Sequence, residues 1–274
     1  MNITQIITEI EKSDPEFLQK VDSRREGIKS FNRFVGKVTL AALPLALGGL
    51  FKKSYGQTPS GVIDVLNYAL TLEYLEAAFY QQGNNVAATL IPAGPAQQAI
   101  ATIGSHETAH VNFLKAAITG SGGTPVNSPV FDFTAGGLFA DVFTNYNTFL
   151  AVAQTFEDTG VRAYKGQAAA LISNNDVLTA ALNIHSVEAR HASHIRQMRK
   201  ANGFGDVKPW ITGKDSGIGE VVQASYNGEE ITTQAGVQIT GINNFSISTN
   251  AASEAFDEPL TMMEVLDIVK PFIK

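Results

Sequence analysis

The chain has 274 residues, 44% of them apolar and only 17% charged, with a formal net charge of −6 and a pI of about 5.4. That length allows a sizeable core in one or two domains, and the acidic balance speaks against a nucleic-acid partner, which would need a basic patch. With no cysteine, disulfides, thiolate zinc sites, iron–sulfur clusters and cysteine nucleophiles are excluded, so any metal must be held by Glu, Asp and His.

Residues 1–57 read as a separate N-terminal segment. Arg24-Arg25 precede an apolar run from Val38 to Phe51, then Lys52, Lys53 and the small-x-small pattern Ser54-Tyr55-Gly56. The run is too short to span a bilayer comfortably, so no stable membrane span is expected. The stretch resembles a twin-arginine export signal, with Gly27 where an aromatic residue is usual. On that reading the mature protein starts near Gln57 and is exported to the periplasm. The alternative is a helix packed on the fold and a cytoplasmic protein.

Thr58-Pro59 marks a helix start, a capping hydroxyl followed by Pro at the first helical position. Helical spacing of apolar residues then runs to about Gln82. Ile91-Pro92-Ala93-Gly94-Pro95 breaks the chain, and a second helix is predicted from Ala96 to Ile118, closed by Gly120 to Pro125. A long polar connection follows to about Gly137. A third helix is predicted from Phe139 to Ile172, and Ser173-Asn174-Asn175-Asp176 turns the chain into a fourth that ends at Asn202-Gly203. The long middle connection suits a bundle with one crossover rather than an up-and-down bundle. From Gly205 onward, Asn227-Gly228 and the alternation of Ile231, Thr233, Val237 and Ile239 predict one or two short hairpins. Thr261 and Glu264 form a capping box that opens a last short helix. Residues 205–274 are therefore read as an appendage on a bundle formed by 58–204.

Two Glu-x-x-His pairs carry the chemistry, Glu107 with His110 and Glu188 with His191. At i and i+3 the two side chains lie together on one helix face. Ile103 and Leu114 flank the first pair, and Ile184 and Ile195 the second, so both pairs fall on inward apolar stripes. The first and third helices each add one Glu to such a stripe: Glu73 among Leu66, Ala69 and Tyr80, and Glu157 among Leu150, Ala153, Val161 and Tyr164. Glu76 is a rival to Glu73. Four carboxylates cannot share a core without a cation, and four balance two divalent ions. Oxygen-rich sites with imidazole suit iron or manganese, so two Fe or Mn ions are expected at Glu73, Glu107, His110, Glu157, Glu188 and His191.

The run Leu72-Glu73-Tyr74-Leu75-Glu76-Ala77-Ala78-Phe79-Tyr80 and the two motifs resemble the ferritin-like domain family that includes desiccation-related proteins. Ala255-Phe256-Asp257-Glu258-Pro259-Leu260 is similar to that family's end. The resemblance implies an all-α, ferritin-like four-helix bundle with one long crossover and a di-metal site at those six positions. Dioxygen or peroxide would be its partners in stress protection, as a ferroxidase or catalase-like oxidoreductase, and a homo-oligomer is compatible with it. Two other readings stand beside this one. One is a non-enzymatic protective bundle with a structural or vestigial metal site. The other is a zinc hydrolase, because His106-Glu107-Thr108-Ala109-His110 also spells H-E-x-x-H. His185 and His194 sit at the edges of the fourth helix's stripe and are expected to flank the site; Tyr80 and Tyr164 point inward near it and are expected to pack in the core, with redox activity or a hydrogen bond to a ligand as the alternative.

Overall fold

The computed structural model describes residues 60–274, and both the N-terminal segment 1–57 and the Thr58-Pro59 cap lie outside them. Four long helices form the bundle: α1 (Ser60–Asn85), α2 (Pro95–Gly120), α3 (Tyr146–Gln167) and α4 (Asn175–Ala201). Their ends follow local chemistry. Pro95 occupies the first turn of α2. Asn145 caps α3 by accepting from the Asn147 amide, and Asn174 caps α4 by accepting from the Val177 amide. Asp176 in the first turn of α4 and Arg199 and Lys200 in its last complement the helix dipole.

α1 packs along α2 and α3 along α4, with only sparse contact between the two hairpins. The connection 121–145 links them, which is the crossover expected. No described helix is long and apolar enough to cross a membrane. One end of the bundle is filled by aromatic rings. Phe79 stacks on Phe149 with centroids 4.8 Å apart and meets Phe133 and Phe156 edge-on.

The third helix starts later than predicted, at Tyr146 rather than Phe139. Phe139 and Val142 are buried, but in successive turns. Apolar residues at steps of three and four fill the same core from either conformation. The hairpin also falls elsewhere than at Asn227-Gly228. Strands β1 (Thr233–Gln234) and β2 (Val237–Gln238) pair antiparallel through Ala235 and Gly236, both at positive φ, which the tight two-residue turn requires. The last helix, α5 (Met262–Val269), carries the expected capping box of Thr261 and Glu264.

The segment after α4 covers the outer side of α3. Every residue from Phe149 to Tyr164 is buried, although Gln154, Asp158 and Arg162 line one face as a solvated helix would. Arg162 donates to the carbonyls of Ser225, Asn227 and Glu258 and pairs with Glu229 at 2.6 Å. Arg196 on α4 forks onto both oxygens of Asp158, which also accepts from the Tyr226 hydroxyl at 2.7 Å. Gly166 lets the tail approach: a Cβ there would lie 1.9 Å from the Leu260 carbonyl oxygen.

Candidate metal centre

The interior between the two hairpins holds all six residues singled out by the sequence. Glu73 comes from α1, Glu107 and His110 from α2, Glu157 from α3, and Glu188 and His191 from α4. The four carboxylates are fully buried, and His110 and His191 are 9% and 5% exposed. They form two groups, Glu73–Glu107–His110–Glu188 and Glu107–Glu157–Glu188–His191, with the donor atoms of each group within 4.8 Å of one another. Glu107 and Glu188 belong to both.

The two shared carboxylates divide their oxygens. Glu107 turns Oε2 to His110 Nδ1 at 3.0 Å and Oε1 to His191 Nδ1 at 2.8 Å. Glu188 turns Oε1 to His110 Nδ1 at 3.0 Å and Oε2 to His191 Nδ1 at 3.7 Å. Glu73 faces His110 alone at 3.1 Å, and Glu157 faces His191 alone at 3.4 Å. A ring nitrogen carries at most one proton, yet each Nδ1 meets three carboxylate oxygens. Glu107 Oε1, Glu157 Oε2, both Glu188 oxygens and His191 Nδ1 accordingly have no hydrogen-bond partner. Unpaired buried acceptors are costly, and a cation in each group would satisfy them together. The donor set therefore fits oxygen-preferring metal ions, with Glu107 and Glu188 placed to serve both groups.

The electrostatics agree. Burial, then the neighbouring Glu188, pushes the Glu73 carboxyl up to about 8. Glu157 is raised well above the usual range by burial, against the pull of His191. Burial would also raise Glu188, but the adjacent imidazoles of His110 and His191 hold it at about 2. Burial opposes the charged imidazolium of His191, and Glu157 and its neighbours overcome that and lift it to about 12. Without metal, the cluster retains protons that ions would displace.

Two tyrosines act where core packing was expected. The Tyr80 hydroxyl of α1 donates to Glu157 Oε1 of α3 at 2.5 Å, and the Tyr164 hydroxyl of α3 donates to Glu73 Oε1 of α1 at 2.5 Å. Each therefore fixes the lone Glu of the opposite helix. The signal was a shared spacing: Tyr stands seven residues after Glu on both helices, two turns along one face.

His106 lies in neither group. Its Nδ1 is 3.0 Å from His191 Nε2, on the side away from the carboxylates, with the rings stacked. His194 and Arg190 are exposed, and His185 is half-buried, so neither histidine enters the centre. Glu76, the rival to Glu73, is buried as well, but it too stands outside both groups.

A four-helix bundle with one crossover and two buried Glu/His groups between its helix pairs is the architecture of the ferritin-like proteins. The chain belongs to the ferritin-like domain family, whose sequence profile matches residues 61–201, more than half of its length. Among curated proteins, none matches the chain.

Proposed function

We propose that this protein is a di-metal carboxylate protein that binds two iron or manganese ions and handles iron, dioxygen or peroxide in stress protection. The observation that carries the proposal is the division of the Glu107 and Glu188 oxygens between His110 and His191. Glu73 and His110 would complete one position, and Glu157 and His191 the other. Bound there, the ions would supply electron transfer to or from dioxygen or peroxide.

The chain's own residues do the rest. Tyr80 and Tyr164 hold the two unshared carboxylates in orientation. The apolar core around the ligands excludes bulk water. With Nδ1 of His191 given to a metal ion, the remaining ring proton would sit on Nε2 and be donated to Nδ1 of His106, which has an exposed edge. This is the outer-shell support that fixes a ligand's tautomer. It also gives His106 a place without the zinc-hydrolase reading.

Elemental analysis of natively expressed protein tests the proposal. Two Fe or Mn per chain support it. One zinc favours the hydrolase, and no metal with melting unchanged by chelator favours an inert bundle. Oxygen and peroxide consumption by the loaded protein then separates a redox role from a structural one. Residues 58–204 are read as the metal-binding unit, 205–274 as its appendage and 1–57 as an export signal. A mature N-terminus near Gln57 by intact mass in the native host tests that last assignment.

A further inference from the structure

Glu76 is a buried acid that the six-residue set leaves unused. It stands one turn beyond Glu73 on α1 and is 3% exposed. Among the described residues it has no hydrogen bond and no ion pair. Apart from burial, the groups that act on it most strongly are the carboxylates of Glu188, Glu157, Glu73 and Glu107, with no cation among them. An unpaired acid in such a place is a standing cost to the fold.

Its position across the bundle from Gly160 shows where it is aimed. A Cβ on Gly160 would lie 3.1 Å from Glu76 Oε1 and 3.9 Å from Glu188 Oε2. Both oxygens thus face the place of a side chain that α3 lacks. Glu76 follows Glu73 by three residues, as Gly160 follows Glu157. The two helices match at Glu and at Tyr and differ here, with a carboxylate on one side and a gap on the other. A small cavity bounded by Leu75, Phe156, Thr159 and Val269 adjoins Glu76 and Gly160.

We propose that Glu76 is a fifth carboxylate and seventh ligand of the centre, serving the ion held by Glu107, Glu157, Glu188 and His191 and admitted by the missing side chain of Gly160. The inference rests on the di-metal reading above. It makes the two ion positions inequivalent. One has three carboxylates and an imidazole; the other has four and an imidazole, and its extra negative charge favours the more highly charged ion.

Cobalt(II) titration of metal-free protein, followed by visible absorption, tests this. Wild-type protein should take up two equivalents. Glu76→Gln, nearly isosteric, should keep one equivalent unchanged, weaken the other about 10-fold or more, and alter the absorption of that ion alone. Gly160→Ala removes no carboxylate but crowds Glu76, and should shift the same equivalent in the same direction. Metal-free Glu76→Gln should melt no lower than wild type, because an unpaired acid has been removed, so a folding failure would be visible separately. Two equivalents bound by Glu76→Gln with wild-type affinity and spectrum would overturn the proposal and leave the di-metal reading standing. Wild-type protein that takes up no cobalt would overturn both.

Discussion

His191 Nε2 lies 3.0 Å from His106 Nδ1, and the two imidazole rings stack with centroids 5.2 Å apart. Nδ1 of His191 faces the carboxylates of the centre, so His106 grips the far side of the ring. His106→Ala is expected to weaken metal binding roughly 10- to 100-fold without lowering the number of ions bound at saturation. Competition with a chelator of known affinity reads this directly. An unchanged affinity would reduce His106 to a surface neighbour.

The shared and unshared carboxylates give different stoichiometries. Glu188→Ala takes a ligand from both groups and should abolish stable binding of either ion. Glu157→Ala takes one from a single group and should leave the Glu73–Glu107–His110–Glu188 position loaded. Elemental analysis after desalting distinguishes the two variants. Equal loss in both would mean that the ions bind only as a pair.

The metal-free protein should lose stability as pH rises. The Glu73 carboxyl, pushed up to about 8 mainly by burial, and that of Glu229, pushed up to about 7 by burial against the pull of Arg162, both start from 4.5. Each contributes stability that is complete below about 4.5 and is lost as pH climbs through the raised value. His191, lifted from 6.5 to about 12, adds a loss in the same direction at higher pH. Glu188, lowered to about 2, works oppositely but only in acid, its contribution fading as pH falls below 4.5. Melting temperature should therefore drop between about pH 6 and pH 9 without metal, and drop less with metal bound.

Metal uptake should release protons. The imidazolium of His191 and the carboxyl of Glu73 hold protons near neutrality in the metal-free state, and ions take their place. Calorimetric titration in two buffers of different ionisation enthalpy should show unequal heats, with affinity falling as the medium becomes more acid. Equal heats would mean that the cluster is already deprotonated.

The clasp on α3 should be a separate source of stability. Asp158 accepts both bonds of the Arg196 fork and one from Tyr226. Asp158→Ala strands a buried guanidinium and should cost about 3–5 kcal/mol. Denaturant unfolding of the metal-free variant measures it. A loss below about 1 kcal/mol would show the pair to be relaxed by water.

The bundle and the six clustered residues were legible because both rest on local periodicity. An i, i+3 pair and an apolar stripe are properties of one helix, read without knowing its neighbours. What escaped depends on a second segment. Tyr80 and Tyr164 show their role only once α1 and α3 are set opposite each other. The false start of the third helix at Phe139 came from apolar spacing that consecutive turns satisfy equally well, while Asn145, the true cap, carried a usable signal. The outer face of α3 was the least legible. Gln154, Asp158 and Arg162 look like a solvated flank, and the groups that bury them lie far downstream. His106 was visible as a motif, but the H-E-x-x-H pattern directed it to His110 rather than across the bundle to His191.

The burial of α3 by the tail fixes an order of events in biosynthesis. Arg162 reaches its carbonyl partners only across separations of 63 to 96 residues. A ribosome that has released all four bundle helices has not yet delivered Ser225, Asn227 or Glu258. Until then the polar face of α3 is hydrated, and the closing steps of maturation belong to the final quarter of the polypeptide.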